Sequence, residues 1–133
     1  MKKNFTIVAS MASLLLLATL FQSAKPDNVI TKEDGMTVVN TTTLSKDVTG
    51  YVGTTPVKIF IKGNKIVKVE LLKNQETPKY IAKVKRQLLP KWNDMKVNDA
   101  LKKQVDGVTG ATFSSDAIKE NVRLGLEYYK KHK

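Results

Sequence analysis

The feature that most constrains this chain is an alternation of apolar and charged residues that resumes after two turn residues. Val57, Ile59 and Ile61 alternate with Lys58, Phe60 and Lys62; Gly63-Asn64 follows; then Val67, Val69 and Leu71 alternate with Lys68 and Glu70. A period of two places each set on its own face of a strand. Gly and Asn supply the positive φ angles of a tight hairpin turn. The spacing therefore predicts an antiparallel hairpin over 57–72 with one greasy face and one face carrying lysines. The greasy face has to be covered, and 133 residues suffice for one domain with one modest core.

Two amphipathic stretches downstream can supply the cover. Thr77-Pro78 reads as an N-cap followed by proline at the first helical position. Behind it Tyr80 or Ile81, Val84 and Leu88 recur at helical spacing, with Lys79, Lys83, Lys85 and Arg86 on the other side, until Pro90 stops the run. That predicts a helix over 78–89, with Trp92 in the connection that follows. Near the end of the chain Ile118, Val122, Leu126 and Tyr129 form a second stripe, joined by Ala117, Leu124 and Tyr128. Thr112, Ser114, Ser115 and Asp116 precede it as cap residues, so a helix is predicted over 115–130, its terminal lysines suiting the negative helix end. Met36–Leu44 reads as a further strand, Val48–Thr55 as a strand-like stretch with Tyr51 and Val52 between glycines, and Val105–Val108 as a short strand. Asn98–Gln104 fits either type. The fold class is α+β, a small twisted antiparallel sheet with two main helices packed on it.

The N-terminus has a different logic. Met1-Lys2-Lys3-Asn4 is a short positive segment, Phe5–Phe21 carries no charge, and Gln22-Ser23-Ala24 leads into Lys25-Pro26-Asp27. This is the three-part pattern of an export signal, with Ala24 at the cleavage position. The apolar run is short for a membrane span of about 20 residues. Residues 1–24 are expected to be a signal peptide or an N-terminal anchor, 25–36 a linker, and 37–133 the folded domain. The domain is expected outside the cytoplasm, at the outer face of the membrane, in a periplasm or on the cell surface.

Composition narrows the chemistry. There are 23 basic and 12 acidic residues, a net charge of +11, which favours anionic partners or a phosphorylated cofactor. Cysteine is absent, which excludes disulfides, iron–sulfur ligation and thioether haem attachment. His132 is the one histidine and lies next to the end of the chain, so neither a His-based metal site nor a Ser–His–Asp triad is expected.

What remains is the stretch Asp106-Gly107-Val108-Thr109-Gly110-Ala111-Thr112-Phe113-Ser114-Ser115, just before the final helix. Gly110 and Ala111 remove bulk beside a hydroxyl, Thr109, Thr112, Ser114 and Ser115 supply four hydroxyls, and the amides of a helix start follow. Such a place suits a phosphate. Read from residue chemistry alone, a plain capped helix preceded by a turn explains the same residues.

The stretch resembles the flavinylation motif of the FMN-binding domain family, in which Asp, two residues, Ser or Thr, and Gly-Ala-Thr are followed after one residue by Ser or Thr. Asp106, Thr109-Gly110-Ala111-Thr112 and Ser114 meet it, Thr109 standing where Ser is commoner. Glu76-Thr77-Pro78 is similar to the Glu-Thr-Pro segment of that family, with Lys79 where glycine usually follows. The order of hairpin, Glu-Thr-Pro, helix, Gly-Ala-Thr and last helix covers about 48–130.

The resemblance implies FMN joined by a phosphoester to Thr112, installed by a separate flavin transferase that uses FAD and a divalent metal. It implies that Gly110 and Ala111 make room for the phosphate, that Thr109, Ser114 and Ser115 lie close to the cofactor, that Asp106 serves recognition by the transferase, and that Glu76 and Thr77 border the ring. It implies electron transfer to membrane or extracellular redox partners, with no catalytic residue, protein-held metal or nucleic-acid partner. Tyr51 and Trp92 are expected in the core rather than stacked on flavin. The competing expectations are an exported non-redox module using a basic face for anionic polymers or lipid, and a flavin-dependent reductase with its own substrate.

Overall fold

The computed structural model describes residues 28–133; the leader and the first residues of the expected linker lie outside them. Four strands, β1 (Ile30–Glu33), β2 (Met36–Asn40), β3 (Val57–Lys62) and β4 (Lys65–Leu71), form one antiparallel sheet in sequence order. Helix α1 (Pro78–Gln87), a 3-10 turn (Leu89–Trp92), α2 (Val97–Lys102) and the long α3 (Thr112–His132) follow. The architecture is α+β.

The hairpin expected over 57–72 is present, with Gly63 at φ 59° and Asn64 at φ 60°, the geometry that matches strand twist. Its register carries a correction. Ile61 pairs with Ile66 but Phe60 pairs with Lys68, so a bulge leaves Val67 without a partner. Ile66 and Val69 therefore face the core while Val67 is exposed. Phe60, assigned by alternation to the polar face, is buried there, and the Lys68 ammonium lies 4.7 Å from its ring centroid.

The stretch 25–36 is not merely a linker. Residues 30–33 are strand β1, joined to β2 by Asp34 at φ 51° and Gly35 at φ 78°. Asp-Gly is a strong hairpin signal. It was obscured because β1 is four residues long and half charged, with too few apolar positions to show a period. Val48–Thr55 holds a single bridge between Thr49 and Thr54 rather than a strand. Val105–Val108 is not a strand either: Val105 and Val108 are buried in irregular chain. Of the ambiguous stretch 98–104, residues 98–102 belong to α2 and 103–104 are extended or irregular chain.

One face of the sheet packs beneath the helices. Val39, Val57, Ile59, Ile61, Ile66 and Val69 meet Ile118, Val122 and Leu126 of α3, with Val84, Leu88 and Trp92 closing one side. Burying each large aliphatic side chain contributes about 1.5–3 kcal/mol relative to leaving it in water. Gly125 lets α3 settle close to the sheet: a Cβ there would lie 2.6 Å from Ile59 Cδ1 and 2.9 Å from Thr41 Cγ2.

A buried polar network fixes the helix register. The Thr41 hydroxyl donates to Asn121 Oδ1 at 2.5 Å and accepts the Val57 N–H at 2.9 Å, while Asn121 Nδ2 donates to the Ala117 carbonyl at 2.9 Å. Thr41 and Asn121 are fully buried, so an unpaired member has no water to turn to. Asn121→Ala is expected to lower stability by about 2 kcal/mol, read as a reduced urea midpoint at unchanged m-value. An unchanged midpoint would show that the network contributes nothing net.

Candidate functional site

The site is assembled where the loop after β2, the segment before α1 and the first turn of α3 converge. Its hub is Glu76, which is 5% exposed. One carboxylate oxygen accepts the Tyr51 N–H at 2.7 Å and the Ser114 hydroxyl at 2.5 Å; the other accepts the N–H groups of Val52 at 2.5 Å and Gly53 at 3.2 Å. The Glu76 N–H donates to Asn74 Oδ1 at 3.1 Å. Burial pushes the Glu76 carboxyl up, but the Ser114 hydroxyl and the three amides stabilise the anion and hold it below the usual carboxylate value. Gly50 lies against this group. A Cβ there would collide with Glu76 Oε1 and lie 3.3 Å from the Ser114 Cα, so only glycine lets the loop approach.

The motif loop is tied down from both sides. Ser115 is fully buried and its hydroxyl accepts the Val108 N–H at 3.1 Å. Lys83 of α1 donates to the Thr109 carbonyl at 2.9 Å, and Lys91 donates to the Asp106 carbonyl at 2.9 Å. Gly110 takes φ 84°, a left-handed conformation that glycine adopts without strain. Helix α3 starts at Thr112, three residues before the expected Ser115, with Ala111 at the cap position and no side-chain cap. The serines expected as caps are engaged elsewhere, Ser114 with Glu76 and Ser115 with Val108. The first-turn amides therefore point outward with no side-chain partner, and no acidic residue sits in that turn.

Beside these amides is an open pocket of about 330 Å³, lined by Tyr51, Tyr80, Gly110, Ala111, Thr112, Phe113 and Ser114. Thr112 is exposed at its rim, between a left-handed glycine and a helix start. Tyr51 is 70% exposed and Phe113 66%, their ring centroids 6.2 Å apart. Solvent-exposed aromatic faces of this kind suit a flat conjugated ring.

The residues singled out by sequence thus separate into three groups. Gly110, Ala111, Thr112 and Ser114 line the pocket. Glu76 and Ser115 are buried as hydrogen-bond acceptors and do not line the pocket; Glu76 holds the Tyr51 loop and Ser114 together beside it. Asp106, Thr109 and Thr77 are exposed and do not line it; Thr77 is the helix N-cap by position, but its hydroxyl makes no cap bond. Sequence reasoning placed both Tyr51 and Trp92 in the core. Trp92 is there, at 2% exposure, whereas Tyr51 stands at the pocket. Tyr80 and Phe113 were not anticipated as pocket residues; Phe113 carried a local signal, an aromatic directly after the motif threonine.

This arrangement defines a small α+β binding module that offers a free hydroxyl and open helix amides to a phosphate, and aromatic faces to a planar group. The chain belongs to the FMN-binding domain family, whose model matches residues 50–127. It is a flavin-binding module with FMN as its cofactor. No curated protein matches the chain.

The Glu76 hub carries a pH signature. Because its acidity is greater in the fold than in the free chain, its stabilisation is complete above the unfolded value of 4.5 and is lost as pH falls through the lower folded value. Glu76→Gln is expected to cost about 2 kcal/mol at neutral pH and to flatten the decline of the urea midpoint below about pH 4.5. An acid decline as steep as wild type would assign that decline to other carboxylates.

Proposed function

We propose that this protein is an extracytoplasmic electron-transfer module whose FMN is esterified through its phosphate to Thr112 Oγ1. The observation that carries the reading is the exposed Thr112 at the rim of an aromatic pocket, with uncapped helix amides beside it and small residues on its N-terminal side. A phosphate ester at that oxygen lies next to donors that favour negative charge, and Gly110 and Ala111 keep the approach open. Attachment by a flavin transferase from FAD forms the Oγ1–phosphorus bond and breaks the pyrophosphate; AMP leaves and the threonine proton passes to solvent.

When bound, FMN supplies the redox chemistry. The chain's own residues hold and orient it. Tyr51, Tyr80 and Phe113 present apolar faces to the ring, and Glu76 keeps the Tyr51 loop against α3. The Lys83 and Lys91 ammonium groups add positive potential along the motif loop. A pocket of this size stands at the small end for ligand sites. The N-terminal export pattern fits the same reading, because an ester retains a cofactor that would otherwise diffuse away outside the cell.

Co-expression with a flavin transferase is expected to give a protein whose flavin fluorescence stays with the band in a denaturing gel. Thr112→Ala removes that fluorescence and Thr112→Ser keeps it. A flavin that dissociates on denaturation from the wild type would overturn the ester. The double change Tyr51→Ala, Phe113→Ala is expected to retain covalent flavin while raising its native-state emission, since aromatic stacking quenches the ring. Unaltered emission would place the ring away from these two side chains.

A further inference from the structure

Helix α3 spans 21 residues, about 30 Å at 1.5 Å per residue, so its C-terminal end lies far from Thr112. There, between the β3–β4 turn, α2 and the last turn of α3, is a second cavity of about 500 Å³. Lys65, Lys96, Lys102, Lys130 and Lys133 line it, with Asp99 as its one acidic side chain. None of the five forms an ion pair among the described residues.

Part of this charge has a structural explanation. Lysines in the last turn complement the negative end of a helix, which accounts for Lys130 and Lys133. It accounts equally for Lys102 in the last turn of α2, but not for Lys65 and Lys96, which come from the hairpin and from the entry to α2. Lys65 and Lys96 are in fact bridge partners, set directly opposite each other. Like charges in that relation are destabilising. Backbone bonds fix the pairing: Val97 N–H donates to the Asn64 carbonyl at 2.9 Å and Ile66 N–H to the Met95 carbonyl at 2.7 Å, bracketing the pair. The Tyr129 hydroxyl, 2.7 Å from Asn64 Oδ1, joins the turn to α3. Lys133 Nζ also donates to Asn64 Oδ1, at 3.3 Å, and lies 5.8 Å from the Tyr129 ring centroid. The fold therefore gathers five lysines and one aspartate around a cavity, an excess of positive charge that an anion would offset.

We propose that this cavity is a binding site for a multivalent phosphate anion. Every cationic group in it is an ammonium. Ammonium groups act as compact point charges without the planar fork that selects carboxylates bidentately, and they match the spread charge of linked phosphates. The site stands apart from the flavin pocket and does not depend on flavin attachment. The phosphates can come from a free oligophosphate or from lipid headgroups, and two arms of one experiment separate these sources.

The full-length protein is titrated with inorganic tripolyphosphate by calorimetry, and separately sedimented with vesicles containing phosphatidylglycerol. Lys65→Gln, Lys96→Gln is expected to weaken tripolyphosphate binding at least tenfold, while Lys46→Gln, remote in sequence and on an exposed turn, leaves it within twofold. Without ligand, Lys65→Gln is expected to raise the thermal midpoint, because it relieves the facing charges. Vesicle binding that is lost in the same double variant identifies headgroups as the source; tripolyphosphate binding without vesicle binding identifies a free anion. Absence of binding in both arms, or equal weakening by Lys46→Gln and the double variant, overturns the proposal. Circular dichroism and flavin loading at Thr112 verify that the variants fold.

Discussion

A single buried carboxylate holds the functional end of this molecule together. Glu76 accepts hydrogen bonds from three consecutive loop amides and from a serine in the first turn of α3. An anion so deeply buried persists only because each oxygen is satisfied twice. The requirement runs outward from there. The loop must come close, so position 50 must lack a side chain. Ser114 must point inward, so Thr112 and Phe113, two and one residues earlier at about 100° per residue, turn toward solvent. The exposure of the Thr112 hydroxyl is thus a geometric consequence of a buried serine.

Close packing sets the other axis. Gly125 brings α3 against Ile59 and Thr41, and the Thr41–Asn121 pair fixes which face of the helix meets the sheet. The helix then joins two cationic ends of different character. At its start, uncapped backbone amides border a pocket with aromatic walls, and two lysines bond carbonyls of the loop that precedes it. At its finish, five lysines, none in an ion pair among the described residues, surround a polar cavity. With screening over about 8 Å at physiological salt, charges separated by the helix length act independently.

Much of this was legible from residue order. The hairpin showed because its apolar positions alternate strictly and Gly63-Asn64 punctuates them; α1 and α3 showed because their stripes are long enough to carry a period. The failures have physical causes. A four-residue strand such as β1 has no period to read, and a bulge at Val67 changes faces without any mark in composition. Ser114 and Ser115 look like caps in sequence because hydroxyls beside a helix start usually are. Here both are drawn into the interior by Glu76 and the Val108 amide, which are distant in sequence or reached by a turn of the chain. Tyr51, flanked by glycines, carried no signal that it would stand at the pocket.

Local order determined the elements, the phosphate-suited motif around Thr112 and its family likeness, because short-range periodicity and backbone freedom are written in neighbouring residues. Tertiary structure alone decided that Glu76 binds the Tyr51 loop and Ser114, that Tyr51 and Phe113 share a pocket, and that Lys65 faces Lys96. Each of those depends on a pairing across the sheet or on contact between separate segments. Only packing brings such residues together, since no spacing in the chain encodes the distance between them.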